Sequence, residues 1–277
     1  MRRTHRRSAF WISCLAFFGI SWFAWGTPPT VDPKKPEKTT PTPPERKPPN
    51  PAEAIVEKMV TAMGGREALA AITSLHAAGN VTAVTRIGNR TARMQLYSMK
   101  PAHQRVDQYF GAQIFSLTTY PGGGWLRQNG ALLNLPRSMI EVAEAEAARN
   151  ELELRYAQEG IQVSQTGTRR VENIPCHIIV FLDKKGLQTT YYIEKKTFLL
   201  RKRSYLGPHP LGQGQVSIST IQRDYRWLKF GDKKVLMPFV LESYIGGNKT
   251  STVHFQKVEI NPPQINKKTF RLPSPTE

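Results

Sequence analysis

Histidines are the first residues to test for chemistry, because most metal and acid–base sites use them. His5, His76, His103, His177, His209 and His254 are scattered through 277 residues. No HExxH pattern puts two of them on one helix face, and no other metal spacing occurs. Serine catalysis would need a G-x-S-x-G elbow, and phosphate chemistry a Walker A or Rossmann glycine loop; none is present. Gly122-Gly123-Gly124 and Gly212-Gln213-Gly214 read as isolated turn glycines. Cys176 lies in the apolar run CHIIVFL, which makes it a small core hydrophobe rather than a thiolate nucleophile. In a strand, His177 points to the opposite face, so the two cannot pair. The sequence predicts no catalytic residue, no metal ligand, no cofactor and no enzyme.

Charge is the next feature that could select a partner. The chain carries 39 basic and 21 acidic residues, a formal charge of +18. Arg2, Arg3, Arg6 and Arg7 supply four of these, and residues 27–51 hold five basic against three acidic. Residues 52–277 keep 30 basic and 18 acidic, an excess of 12. The doublets Arg169-Arg170, Lys184-Lys185, Lys195-Lys196, Lys233-Lys234 and Lys267-Lys268, with Arg201-Lys202-Arg203, fall at or near strand ends. Most read as solvated turn charges. Nucleic-acid binding would need stacking aromatics among base-reaching polar groups, and no nucleic-acid partner is predicted. An anionic envelope surface, of lipid headgroups or acidic protein, fits better.

The elements that must position these residues are legible from periodicity. Asn50 is an N-cap with Pro51 at the first helical position and Glu53 three residues on, a capping-box arrangement. Ile55, Val56, Met59, Val60 and Met63 form one helical stripe, ended by Gly64-Gly65. A short second helix covers 66–72. From Ser74 the period becomes two, predicting strands over 75–85, 91–99, 104–110 and 113–120, with a short one at 125–128. Strands resume over 162–171, 176–182, 187–194, 198–205, 215–227, 235–245 and 249–260. Their spacing predicts an antiparallel meander, without βαβ units. Val235, Met237, Phe239, Leu241 and Ile245 share one face, and Val253 and Phe255 continue it, whereas Pro238, Glu242 and Tyr244 share the other. A curved sheet or barrel with an apolar interior follows. CHIIVFL is apolar on both faces, so its outer side needs a cover. Between the two strand runs, 137–158 reads as a helical region rich in glutamate. It is either a packing helix with a solvated acidic face or a lid salt-bridged to basic strands.

The two ends of the chain differ in kind. Four arginines precede 19 uncharged residues, 8–26, the layout of an export signal. Its length is near the roughly 20 residues that span a bilayer, and aromatics cluster toward both ends, so a retained inner-membrane anchor is expected. Ala24-Trp25-Gly26 supplies the alternative, a cleavage site releasing a soluble periplasmic protein. Residues 27–51 hold 10 of the 21 prolines and read as an extended linker of roughly 75 Å, at about 3.1 Å per residue. The expected division is anchor 1–26, linker 27–51 and one folded domain, 52–277.

The order of elements resembles a known family. The helix AEAIVEKMVTAMGGREALAAI leads into a meander, followed by VENIPCHIIVFLDKKGLQTTYYIEKKTFLLRKR, GDKKVLMPFVLESY and VHFQKVEINPPQINKKTFRLP. This is similar to the outer-membrane lipoprotein-sorting superfamily of lipoprotein carriers and receptors, of the Lol type. Glu194 stands where aspartate is usual and Phe198 where glycine is usual. The resemblance implies a mainly β, α+β fold: an unclosed antiparallel barrel covered by helices, whose apolar concave face receives lipid or lipoprotein acyl chains. It carries over no individual ligand residue. Alternation alone nominates Ile179, Phe181, Phe239, Leu241, Val253 and Phe255, each of which has core packing as its default role. The alternative on the same fold is an envelope-stress sensor or protein-interaction module, and a further one is an unrecognised envelope hydrolase.

Overall fold

A computed structural model describes residues 50–85, 87–128, 130–209 and 214–272. The expected anchor, 8–26, and nearly all of the linker lie outside these residues. No helix among the described residues is long and apolar enough to cross a membrane.

Helix α1 (Pro51–Ala62) starts where Asn50 Oδ1 accepts the Ala52 amide at 3.0 Å. Glu53 reinforces the cap through the Asn50 side chain at 3.1 Å, instead of reaching back to its backbone as a capping box would. Gly64 ends the turn at φ +118°, and a Cβ there would lie 2.5 Å from the Lys234 carbonyl oxygen. Glycine is therefore required for α1 to pass this close to the sheet. Helix α2 (Arg66–Ala70) follows.

Thirteen strands then build one antiparallel sheet. They are β1 (Ser74–Thr85), β2 (Gly88–Met99), β3 (His103–Phe110), β4 (Gln113–Tyr120), β5 (Gly123–Gln128) and β6 (Ala131–Asn134), then β7 (Gln162–Val171), β8 (Ile174–Leu182), β9 (Gln188–Glu194), β10 (Leu200–Pro208), β11 (Gln215–Phe230), β12 (Lys233–Ile245) and β13 (Asn248–Ile260). Their spatial order is β6-β5-β4-β3-β2-β1-β13-β12-β11-β10-β9-β8-β7. Two meanders are thus joined by the β1–β13 pair. At its bulge, a Cβ on Gly79 would sit 2.1 Å from the His254 carbonyl oxygen, so the seam depends on glycine.

The sheet curls without closing, because its edges, β6 and β7, do not pair. Those edges are consecutive in the chain. Their connection, α3 (Arg137–Ala147) and α4 (Leu152–Glu159), must cross from one edge to the other. The fold is an open antiparallel half-barrel with helices on its concave side, as the resemblance implied.

Three readings change. Strand β6 was not predicted at all: it is four residues long and mostly exposed, too short to show alternation. The 137–158 region is two helices, broken at Ala148–Glu151, where Glu151 adopts φ +52°. The 198–205 strand starts two residues later, because Phe198 takes φ +57° in the β9–β10 turn. That is the left-handed conformation glycine adopts cheaply. Here the Phe198 amide donates to the Glu194 carbonyl, its ring stacks on His177, and Lys58 Nζ lies 5.1 Å from the ring centroid.

Candidate functional site

The concave face is built from the inward-facing residues of both meanders. All six nominated side chains lie there: Ile179 and Phe181 on β8, Phe239 and Leu241 on β12, Val253 and Phe255 on β13. They belong to one cluster, and none is more than 4% exposed. What covers them is the α1 stripe, with Val56, Met59 and Val60 buried in the same cluster. The structure brings the six together, but packs them against a helix rather than around an acyl-sized space. Phe181 lines a cavity of about 10 Å³.

A larger cavity, about 60 Å³, is elsewhere and of mixed polar and apolar lining. It lies between the α3–α4 break and β9–β12, lined by Asn150, Glu151, Glu153, Tyr191, Arg203 and Gln222 with Met63, Leu200, Met237 and Pro238. Sequence reasoning did not nominate these residues. Arg203 was read within a triplet of strand-end charges; it faces inward and is buried, with Nη2 2.7 Å from Glu146 Oε2 and Nη1 3.1 Å from Asn150 Oδ1. Arg149 Nη2 donates to the Leu206 carbonyl at 3.2 Å and lies over the Tyr205 ring. Tyr191 Oη donates to Glu153 Oε2 at 3.0 Å. Arg66 donates to the Leu154 and Glu153 carbonyls, and Tyr156 Oη to Glu57 Oε1. The 137–158 region is therefore a lid on buried ions. Only Glu141 and Glu144, paired with Arg137, remain solvated.

Glu151 is the least compensated member. Its Oε1 accepts no hydrogen bond, and Lys100 Nζ stands 3.9 Å away. Burial pushes the Glu151 carboxyl up to about 8, against the pull of Lys100, and Glu153 raises it further. Burial takes Lys100 down to about 8 against the opposite pull of Glu151. Glu153 is also raised, mainly by burial. Such groups carry desolvation costs that their partners only partly return.

On the outer face, Cys176 is free and fully buried with Val171 and Ile221, and burial raises its thiol. His177 is on the other face, against Phe198. Among the described residues no group of three histidine, cysteine or acidic side chains could hold a metal ion.

Comparison with known proteins rests on fold. No family model matches the chain, and no curated protein matches it. An outer membrane lipoprotein-sorting protein domain from Vibrio parahaemolyticus superposes with a TM-score of 0.51 at 9% identity, over 79% of this chain and 95% of that one. A DUF1329 family protein from Desulfovibrio piger superposes with a TM-score of 0.53 at 12% identity, over 80% of this chain and 98% of that one. At such identities the shared property is architecture: this chain shares its fold with that lipoprotein-sorting protein domain and with the DUF1329 family protein.

Proposed function

We propose that this is a non-enzymatic envelope protein that takes a lipid or lipoprotein acyl chain onto its concave face when the α3–α4 lid moves aside. The observation that carries the reading is the lid's attachment. An apolar concave surface is covered, across its open side, by helices fixed through buried ions and hydrogen bonds. Opening rehydrates Glu146, Glu151, Glu153, Arg203 and Lys100, which offsets part of the cost of exposing apolar surface. An acyl chain then replaces the lost contacts at about 0.8 kcal/mol per buried methylene. The cavity of about 60 Å³ is far below the roughly 300 Å³ of small-ligand sites, so entry requires this movement. Phe181, beside Tyr156 of the lid, is the proposed first contact, and Ile179, Phe239, Leu241, Val253 and Phe255 are the proposed contacts deeper in the same apolar cluster, under α1. Sorting of lipoproteins and a periplasmic domain tethered by residues 8–26 complete the reading.

The filled interior favours a second reading, a sensor or protein-interaction module on the same fold. One experiment separates them. The full chain is purified from membranes in mild detergent, its lipids are extracted, and displacement of a fluorescent fatty acid is measured. Recovered acyl lipid and saturable displacement support the first reading. Neither signal, with the chain folded, overturns it.

A further inference from the structure

The outer face of the sheet is finished on one half and bare on the other. Over β3–β5 the C-terminal 3-10 helix (Lys267–Phe270) forms a cover. Phe270 and Trp125 are buried there, and Trp125 Nε1 donates to the Phe270 carbonyl at 3.0 Å. Arg105 donates to the Thr269 carbonyl and lies over the Trp125 ring. Over β8–β10 no described residue plays that part. Ile178 and Val180 are half-buried, Leu182 is 38% exposed and Leu206 is 58% exposed. Register places them together: Ile178 pairs with Tyr192 and Val180 with Thr190, which pair in turn with Lys202 and Ser204, and Leu206 is two residues on. The apolar outer side of CHIIVFL is therefore uncovered.

Charge around this patch is mostly positive: of the nearby acids, Asp183 is taken up by the Lys185 and Leu187 amides and Glu194 faces Arg201. Lys202 sits on β10 beside Tyr192, its Nζ 5.6 Å from the ring centroid. Arg169 is on the β7 edge, level with Cys176. Lys184 and Lys185 occupy the β8–β9 turn, at the end where Leu182 and Leu206 are exposed. None of the four has an ion pair among the described residues, and burial together with the charge of Arg169 holds Lys202 below the usual lysine range. Toward the opposite end of the same face, cations are matched: Arg201 and Arg223 share Glu172, and Arg223 and Lys249 share Glu242. An apolar strip rimmed by unmatched cations complements a surface of phosphate headgroups above acyl chains.

We propose that the outer face of β8–β10 docks on an anionic phospholipid surface, with Leu182 and Leu206 entering the headgroup layer and Arg169, Lys184, Lys185 and Lys202 meeting the phosphates. This contact is independent of acyl binding on the concave face. It would hold the domain flat on a membrane instead of free at the limit of its linker.

The test uses the full chain with nanodiscs of phosphatidylglycerol or of phosphatidylcholine. Leu206→Cys, in a Cys14→Ser background, carries an environment-sensitive fluorophore, since Cys176 is fully buried. Thr91→Cys, exposed on β2, is the control position. The Leu206 probe is expected to shift to the blue on phosphatidylglycerol only, and the Thr91 probe on neither. Each cation lost near an anionic surface weakens association about fivefold. Arg169→Glu with Lys202→Glu therefore costs at least about 25-fold and abolishes the shift, as does 0.5 M salt. Equal emission on the two lipids overturns the proposal, as does an equal shift at Thr91 or a shift that survives the double substitution. An acidic protein that shifts the Leu206 probe when phosphatidylglycerol does not would overturn it as well. Fatty-acid displacement by the double variant should match the parent, which checks its folding and keeps this result separate from the acyl reading.

Discussion

Two helical layers cover the same concave face, and they differ in how much buried charge joins them to it. Helix α1 is joined to the sheet by carbon: Val56, Met59 and Val60 are almost wholly buried among Ile179, Phe239 and Val253. The α3–α4 lid also buries carbon, Met139 and Val142 against Phe115, Leu117 and Leu126, and Leu152 and Tyr156 in the main cluster, but it adds the buried polar pairs Glu146–Arg203, Asn150–Arg203 and Glu153–Tyr191. Apolar burial is lost with every square ångström exposed. Buried ions regain hydration when they separate, so their net attachment is weaker than their short distances suggest. The two layers therefore differ in how much of their attachment is ionic.

Breaking one lid ion should have the largest effect. Arg203→Ala removes the Arg203 cation from buried Glu146 and is expected to cost about 4 kcal/mol, the scale of removing one partner of a buried pair. Amides of 137–159 should lose hydrogen-exchange protection before those of β8–β12. Met59→Ala attacks the other layer and should cost about 3 kcal/mol in urea unfolding. Here the sheet and lid should lose protection together, because α1 belongs to the common core. If the two variants give the same exchange pattern, the distinction between the layers fails.

The two layers also differ in how far they can be read from sequence. Asn50-Pro51 and Gly64-Gly65 bound α1, and its stripe and the alternation of Val235–Leu241 place both sides of that contact correctly. These are local signals, with periods set by the backbone. The lid's ions are not local. Arg203 sits among basic neighbours, and only its pairing with Glu146, 57 residues away, makes it structural. That pairing depends on β6 and β7 being the two edges, and β6 is too short to register as a strand. The break at Glu151 lacks glycine or proline, so nothing in the local sequence stops one long helix. The outer face shows the same division: CHIIVFL announces an apolar surface, but not that nothing described covers it.

Replacing both partners sharpens the comparison where removing one breaks it. Glu146→Leu with Arg203→Met turns the lid contact into one resembling that of α1. Such exchanges are neutral or stabilising, and about 1 kcal/mol of added stability is expected. Lid protection should rise while uptake of a fluorescent fatty acid slows. Unchanged uptake with a more stable lid would show that acyl chains enter by another route.

The smallest effect expected is on pH dependence, because two groups oppose one another. Glu151 faces Lys100 from the β2–β3 turn and Glu153 and Arg155 from α4, and its closed-lid value of about 8 is raised above the ordinary carboxylate value of 4.5. The closed lid therefore binds a proton that the open lid releases, and closure weakens as pH rises from about 4.5 to about 8. Glu153, raised by burial, acts in the same direction. Lys100 is lowered from 10.5 to about 8, so the closed lid binds fewer protons than the open one between those values. Closure therefore strengthens above pH 8, and lid opening should peak near there. Hydrogen exchange of 148–159, corrected for intrinsic rates, measures it. Glu151→Gln should flatten much of the rise below pH 8, and Lys100→Met should remove the fall above it. A profile that both variants leave unchanged would mean that this pair stays closed while the lid opens, and that the hinge lies C-terminal to Glu151.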